Sequence, residues 1–127
     1  MRAQARTVAF NVIYINLFED KQDADAFDFL CQEEHLKAKE IEFATEILNA
    51  YFDNKNEIHN GVQNVVTGYK MQRVYKIDLA LIYLAVAEIK FVQTPKSIVI
   101  NEVLELAKTY STEKSSSFIN GVLAKID

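Results

Sequence analysis

The sequence predicts an all-α fold, a single compact domain of about seven helices that spans residues 1–127. Its 127 residues are enough for one hydrophobic core and few for two. Three glycines and one proline are too few for the many tight turns that connect short strands. Apolar residues also recur along the chain at intervals of three and four, which is the periodicity of an α-helix.

Four helices are predicted in the first half of the chain. Two neighbouring apolar rows give residues 3–19 a wide core face, and 24–31 could form a short helix. A long helix is expected at about 37–53, where apolar residues lie on one face. The fourth, at about 55–68, is expected to end at Gly68, because glycine adopts the left-handed conformation that ends many helices.

Three helices are predicted in the second half, after a basic and aromatic connector at 69–76. The helix at about 78–92 is apolar on most sides, so it should lie at the centre of the bundle. Thr94–Pro95 predicts the next start, with threonine as the N-cap and proline in the first position of a helix at 95–110. A last helix is expected at about 115–125. The core face of the helix at 95–110 is expected to hold Val99, Val103, Leu106, Ala107 and Tyr110.

The net charge of −4 conceals an uneven distribution of charged residues. Residues 19–57 hold 12 acidic and 4 basic side chains, whereas the rest of the chain holds 10 basic and 6 acidic ones. The favoured interpretation is a solvated acidic face that keeps the protein in solution. The alternative is that a nucleic acid binds away from this block, since its phosphates would be repelled there.

The sequence gives no sign of a targeting or membrane segment. No apolar run approaches the roughly 20 residues of a membrane-crossing helix, and the N-terminal residues do not resemble a signal peptide. A single cysteine, Cys31, cannot form an internal disulfide. Together these features predict a cytoplasmic protein.

Sites for catalysis, metals and cofactors are not predicted. Cys31 and His35 are four residues apart and could share a helix face, but a zinc site needs three or four ligands. No glycine-rich phosphate loop is present. Ser115–Ser117 has no histidine near it in sequence, and helix capping is its favoured interpretation. The sequence therefore predicts no catalytic residue, no metal site and no cofactor.

Two groups of basic and aromatic residues are candidates for RNA binding, and the first lies in the first helix. Arg2 and Arg6 are one helical turn apart, with Tyr14 on the same side. Single-stranded RNA is typically held by base stacking together with phosphate contacts. Exposed arginines near a chain end are common, however, so the spacing alone favours an ordinary solvated surface.

The second group joins Arg73 and Lys76 of the connector to Lys114 and Phe118 near the start of the last helix. Its alternative interpretation places Phe118 in the core and the cations in solvent. Gly121 lies within the same helix, where glycine costs about 1 kcal/mol relative to alanine. A glycine at this position suggests the close approach of another helix or of a partner.

A series of short motifs follows a distinctive order along the chain. These are Arg6–Tyr14, Ile77–Asp78 with Leu81 and Leu84–Ala85, Glu88, Pro95, Ile100–Asn101–Glu102, Glu105–Lys108 and Phe118–Leu123. In order and spacing they resemble the NusB family of bacterial transcription antitermination factors. The resemblance covers nearly the whole chain and is most specific in its C-terminal half.

The resemblance implies an all-helical protein without enzyme activity. It implies binding to the single-stranded boxA RNA of ribosomal RNA leader transcripts, as a heterodimer with the small-subunit ribosomal protein that doubles as NusE. In the family, this pair helps the RNA polymerase antitermination complex to pass terminators. Carried over by position, the RNA-binding residues are Arg2, Arg6, Tyr14, Arg73, Lys76, Lys114 and Phe118. The NusE-binding residues are expected at exposed positions of the C-terminal helices, at Glu88, Asn101 and Glu105.

The chain departs from the family pattern at positions that bear on RNA binding. Only two arginines stand near the N-terminus, Tyr83 replaces a usual arginine, and Ala87 replaces a usual tyrosine. Each lost phosphate contact weakens the salt-dependent part of RNA affinity. We therefore expect weak RNA binding by the isolated chain and tight binding only with the partner.

Two alternatives to this function remain at the level of the sequence. A helical protein–protein module could keep the fold without intrinsic RNA binding, as the thin basic N-terminus suggests. The chain could also be the RNA-binding part of a ribosomal RNA cytosine methyltransferase, but the 127 residues contain no glycine-rich cofactor domain. Members of the family occur as monomers and as homodimers, so the sequence leaves a homodimer open.

Overall fold

The computed structural model describes residues 2–19, 23–66 and 71–126, and in these ranges it contains helices and no strand. The predicted all-α fold is confirmed. The helices are α1 (Arg2–Glu19), α2 (Ala24–Glu33), α3 (Ala38–Asp53), α4 (Lys55–Val65), α5 (Lys76–Ala87), α6 (Lys96–Tyr110) and α7 (Ser115–Ala124). A short 3₁₀ turn, Met71–Arg73, precedes α5, and a π-helical turn, Glu88–Val92, follows it.

Helix α5 is the centre of the bundle, as its nearly continuous apolar sequence predicts. Every residue from Asp78 to Ala87 is buried, and Leu81, Ile82 and Leu84 are fully inaccessible. A helix that is apolar on all sides must be covered on all sides. Helices α1, α3, α4, α6 and α7 all pack against it. None of the described helices has the length and apolar content that a bilayer-crossing segment needs.

The buried residues form one hydrophobic cluster to which α1 and α3–α7 contribute. The predicted apolar rows of α1 supply Val8, Ala9, Val12 and Ile13 to the buried interior. The prediction of one domain over 1–127 stays a prediction, because residues 1, 20–22, 67–70 and 127 lie outside the described ranges.

The expectation that Tyr110 faces the core is wrong. Its side chain is 41% exposed, whereas Val99, Val103 and Ala107 on the same helix are buried. Tyr110 is the last residue of α6, and its ring lies over the ring of Phe10, with centroids 5.3 Å apart. The last residue in the apolar row of α6 is therefore outside the core and packs against α1.

The predicted start of the sixth helix is also corrected. Pro95, and not Thr94, occupies the N-cap position, and α6 begins at Lys96. The Thr94 backbone N–H donates to the carbonyl of Glu88, the first residue of the π-helical turn, over 3.2 Å. Gln93 between them has a left-handed φ of 66°. The predicted helix end at Gly68 lies outside the described residues, and α4 has its last helical residue at Val65.

Helix α5 has one polar contact with another part of the chain at each of its ends. Arg6, near the start of α1, meets Glu88, which follows the last residue of α5. Ser111, directly after α6, meets Asp78 in the first turn of α5. Asp78 and Glu88 are about 15 Å apart along the helix, given a rise of about 1.5 Å per residue. The two contacts therefore mark opposite ends of the bundle, and the candidate residues divide between those ends.

Candidate nucleic-acid interface

A cavity of about 280 Å³ opens between the turn before α5 and the beginning of α7. Three residues predicted to bind RNA line it together, although they come from two distant segments: Arg73, Lys114 and Phe118. The other lining residues are Val74, Tyr75, Asp78, Thr112 and Ser115. The structure thus assembles one predicted cluster of cations and a ring around a single concave surface.

One wall of this cavity is fixed by the buried carboxylate of Asp78. Ser111 Oγ donates to Oδ1 over 2.5 Å, and Ser115 Oγ donates to Oδ2 over 3.0 Å. Asp78 is only 4% exposed, so these charge-assisted bonds hold the loop between α6 and α7 against the first turn of α5. Lys114 and Phe118 flank Ser115 in this loop and in α7, and their positions therefore depend on the same contacts.

The capping role predicted for Ser115 is wrong. The N-cap position of α7 is Lys114, and it makes no side-chain capping bond. Ser115 Oγ instead lies near Asp78, the Thr112 backbone N–H and the Ser111 hydroxyl. The Ser115 hydroxyl therefore connects the loop between α6 and α7 to α5, because a buried carboxylate such as that of Asp78 needs hydrogen-bond donors.

The cations around the cavity are on the surface. Arg73, Lys114 and Lys76 are exposed, although Lys76 does not line the cavity itself. Tyr75 lines it with 62% of its side chain exposed, and the sequence analysis named it only as part of the connector. Phe118 is half-buried, packed on the core on one side and lining the cavity on the other. The interpretation that places Phe118 in the core is therefore partly right, and its role in RNA binding stays a prediction.

A row of aromatic side chains extends from this region along α1. Tyr14 lies between Phe10, at a ring distance of 6.2 Å, and Phe18, at 5.1 Å. Phe10 also contacts Tyr110, the residue before Ser111. Phe18 is 61% exposed and continues the four-residue spacing of Phe10 and Tyr14, a signal that the sequence analysis overlooked. Tyr14 therefore belongs to a row of four rings, in which Phe10 is buried and Tyr110 and Phe18 at the two ends are exposed.

Arg6 and Glu88 are not exposed, contrary to the expectation for a nucleic-acid contact and for a partner contact. Arg6 Nε donates to Glu88 Oε1 over 2.8 Å, and Nη2 donates to Oε2 over 2.6 Å. Arg6 is 4% exposed and Glu88 is fully buried. The sequence could not show this pairing, since the two residues are 82 positions apart. The Arg6 and Glu88 side chains therefore compensate each other's buried charge inside the bundle.

The electrostatics of this pair favour the ionised state of Arg6. Burial alone would lower the pKa of Arg6, but the hydrogen bonds and charge of Glu88 outweigh it and raise that pKa above its ordinary value. The charge of Glu102 adds to the same effect. The bidentate geometry is the strong form of an arginine–carboxylate contact. The pair is therefore a structural clamp between α1 and the end of α5.

Arg2 is exposed but lies apart from the cavity. Its guanidinium is 4.2 Å from the centroid of the Phe43 ring on α3. Along α1, Arg2 and Tyr14 are about 18 Å apart. The structure therefore does not bring Arg2 and Tyr14 into one compact site.

The two remaining partner candidates are exposed on α6. Asn101 and Glu105 both face solvent, and Glu105 pairs with Lys108 over 3.1 Å at the surface. Glu105 also lines a groove of about 310 Å³ between α1 and α6, together with Glu34 and Glu102. The groove is acidic, so it would attract a basic surface and repel phosphate.

Within the described residues, no group of three or more side chains could hold a metal ion. His35 has a left-handed φ of 54° and lies beyond the end of α2, so it does not share a helix face with Cys31. Burial, together with the charge of Asp28, raises the pKa of the Cys31 thiol. A buried thiol with a raised pKa is typical of a structural cysteine.

Comparison with known proteins gives a consistent result. The sequence model of the NusB family matches residues 3–127. A transcription antitermination protein NusB from Finegoldia magna is 36% identical over 126 residues, which are 98% of this chain and 92% of that protein. A crystal structure of NusB and NusE with double-stranded RNA superposes with a TM-score of 0.88, at 25% identity over 98% of this chain and 94% of that one. A structure of NusB from T. maritima superposes with a TM-score of 0.85, at 25% identity over 99% of this chain and 89% of that one.

Proposed function

Since this chain belongs to the NusB family, we propose that it binds the boxA element of ribosomal RNA leader transcripts together with the NusE ribosomal protein. The pair would support read-through of terminators by the RNA polymerase antitermination complex in the cytoplasm. The role is one of binding, without a catalytic step. The observation that carries this proposal is the cavity in which Arg73, Lys114 and Phe118 meet.

The chemistry of this cavity suits an unpaired nucleotide. Arg73 and Lys114 are exposed cations at its rim, where they can neutralise phosphates. Tyr75 and Phe118 are the aromatic residues of its lining, and stacking on aromatic side chains is the common way in which proteins hold single-stranded RNA. The carboxylate of Asp78 is already bonded to two serine hydroxyls, which reduces its repulsion of phosphate. Arg2, Lys76 and Tyr14 are proposed as more distant contacts.

We place the NusE-binding surface on α6, where Asn101 and Glu105 are exposed. Glu105 and Glu102 border the acidic groove between α1 and α6, which is complementary to a basic partner. Because this groove repels phosphate, we expect the protein partner to bind at the groove and the RNA to bind at the cavity between the turn before α5 and the start of α7. NusB and NusE have been crystallised together with double-stranded RNA, which supports a ternary complex with RNA. The proposed preference for an unpaired strand depends on the aromatic residues of the cavity.

A second candidate is a protein–protein module without intrinsic RNA binding. The burial of Arg6 favours it, because only Arg2 of the predicted N-terminal pair can reach a phosphate. Replacing Arg2 and Arg6 together would not separate the two candidates, since loss of Arg6 disturbs the bundle itself. Variants of the cavity separate them without that complication.

An RNA titration over a series of salt concentrations tests the proposal. For the isolated chain we expect weak binding to single-stranded boxA RNA, with a slope of log affinity against log salt of about −1.4 to −2.8, since the two cations of the cavity and up to two more distant ones contribute about −0.7 each. With NusE present, the affinity should rise at least about tenfold, because the partner supplies further contacts. The same sequence annealed into a duplex should bind less tightly, since its bases cannot reach the rings.

The double variant Arg73→Gln with Lys114→Gln tests the cavity directly, and it should reduce the affinity and make the salt slope shallower. A slope steeper than about −4 for the chain alone would contradict the weak-binding proposal. Equal affinities of the wild-type and double-variant complexes would favour the module without RNA binding.

A further inference from the structure

A second groove lies on the other side of Phe118. It has a volume of about 200 Å³ and runs between the end of α4, at Val65, and the surface of α7. Phe118 lines both this groove and the main cavity, so its ring forms the ridge between them. A strand that leaves the main cavity over this ring enters the second groove directly.

The exposed edge of this groove follows one face of α7. Ser117, Gly121 and Lys125 are spaced four residues apart, and all three are exposed and line the groove. Among the described residues that line it, none is acidic. Lys125 at one end of α7 and Lys114 at the other therefore place a positive charge at each end of a path across Phe118.

Gly121 is not required by the packing of the described chain. A Cβ atom built at this position meets no atom within 4 Å, although glycine is unfavourable within a helix. Gly61 in α4 is equally open, so free space alone does not mark a site. Gly121 differs because it lies in a groove that shares Phe118 with the main cavity and ends at Lys125. A backbone without a side chain lets a ligand approach the helix closely.

We propose that the second groove is an extension of the RNA site, which takes the nucleotide next to the one held in the main cavity. The sugar–phosphate backbone of that nucleotide passes over Gly121, and its phosphate pairs with Lys125. This inference rests on the proposed function and lengthens the bound segment of RNA. The cationic edge and the continuity through Phe118 favour a single strand of RNA over a protein helix as the occupant.

Matched glycine variants test this inference in the 127-residue chain, with NusE at saturating concentration in the RNA-binding measurements. Gly121→Ala and Gly61→Ala should each raise the midpoint of thermal unfolding by about 3–5 °C, because alanine favours the helix and neither Cβ meets a neighbour. Only Gly121→Ala should weaken binding to single-stranded boxA RNA, and Gly121→Leu should weaken it by tenfold or more. Lys125→Gln should make the salt slope about 0.7 shallower.

The outcomes separate this inference from the proposed function. If the wild-type complex binds RNA and the Gly121 and Lys125 variants bind it equally well, the second groove is not part of the RNA site. If Gly121→Leu weakens NusE binding measured without RNA, and leaves RNA binding intact, the occupant is a protein and the inference is wrong. If the wild-type complex binds no RNA, the proposed function itself fails and this inference fails with it.

Discussion

Replacing Arg6 by alanine is expected to lower the free energy of unfolding by about 3–5 kcal/mol. The change leaves Glu88 without its two hydrogen bonds at a fully buried position. An uncompensated buried charge is among the most costly defects in a folded protein. Chemical denaturation of the wild type and of Arg6→Ala, monitored by the circular dichroism of the helices, measures the difference in unfolding free energy.

Two further variants identify the cause of this loss. Arg2→Ala is the matched control on the same helix, and it should cost less than about 1 kcal/mol, because Arg2 is exposed and contacts only the Phe43 ring among its described contacts. The double variant Arg6→Leu with Glu88→Leu should recover much of the stability, since it removes both buried charges. Wild-type stability of Arg6→Ala would show that the pair is not the clamp described above.

Replacing Phe118 by leucine is expected to reduce RNA affinity in the presence of NusE by about 5- to 150-fold. Stacking of one base on an aromatic ring is worth about 1–3 kcal/mol, and leucine offers no ring face. Leucine is preferred to alanine here because Phe118 is half-buried against the core, where a smaller residue would also destabilise the fold. Fluorescence anisotropy with labelled single-stranded RNA measures the change.

Phe29→Leu is the matched control for the ring. Phe29 is 60% exposed on α2, within the acidic part of the chain, and we expect its replacement to leave RNA affinity unchanged. The midpoint of unfolding should stay close to the wild-type value for both leucine variants. An affinity of Phe118→Leu equal to that of the wild type would remove Phe118 from the site.

The helices and the central position of α5 could be predicted because both depend on local patterns. Apolar periodicity identified α1 and α3, and the nearly uninterrupted apolar sequence of α5 predicted its burial. The grouping of Arg73 with Lys114 and Phe118 came from the resemblance to the family, and the cavity brings these residues together.

The polar contacts between helices could not be predicted, because they join residues far apart in sequence. Charge alone does not distinguish Arg6, which is paired inside the bundle, from Arg2, which is exposed. Glu88 is buried at the start of the π-helical turn that follows α5, and no propensity of the Glu88–Val92 segment predicts that turn. The same holds for Asp78, whose serine partners lie more than 30 positions away, after α6 and at the start of α7.

Mapping of amide chemical shifts during titration with single-stranded boxA RNA and NusE tests most directly where the RNA binds. We expect the changes caused by RNA, beyond those caused by NusE alone, to be largest at residues 73–78 and 111–125. Smaller changes are expected near Arg2 and Tyr14, and the amides around Glu88, at the other end of the bundle, should stay nearly unchanged. Large changes confined to the first two turns of α1, with none around the cavity, would contradict the proposed site.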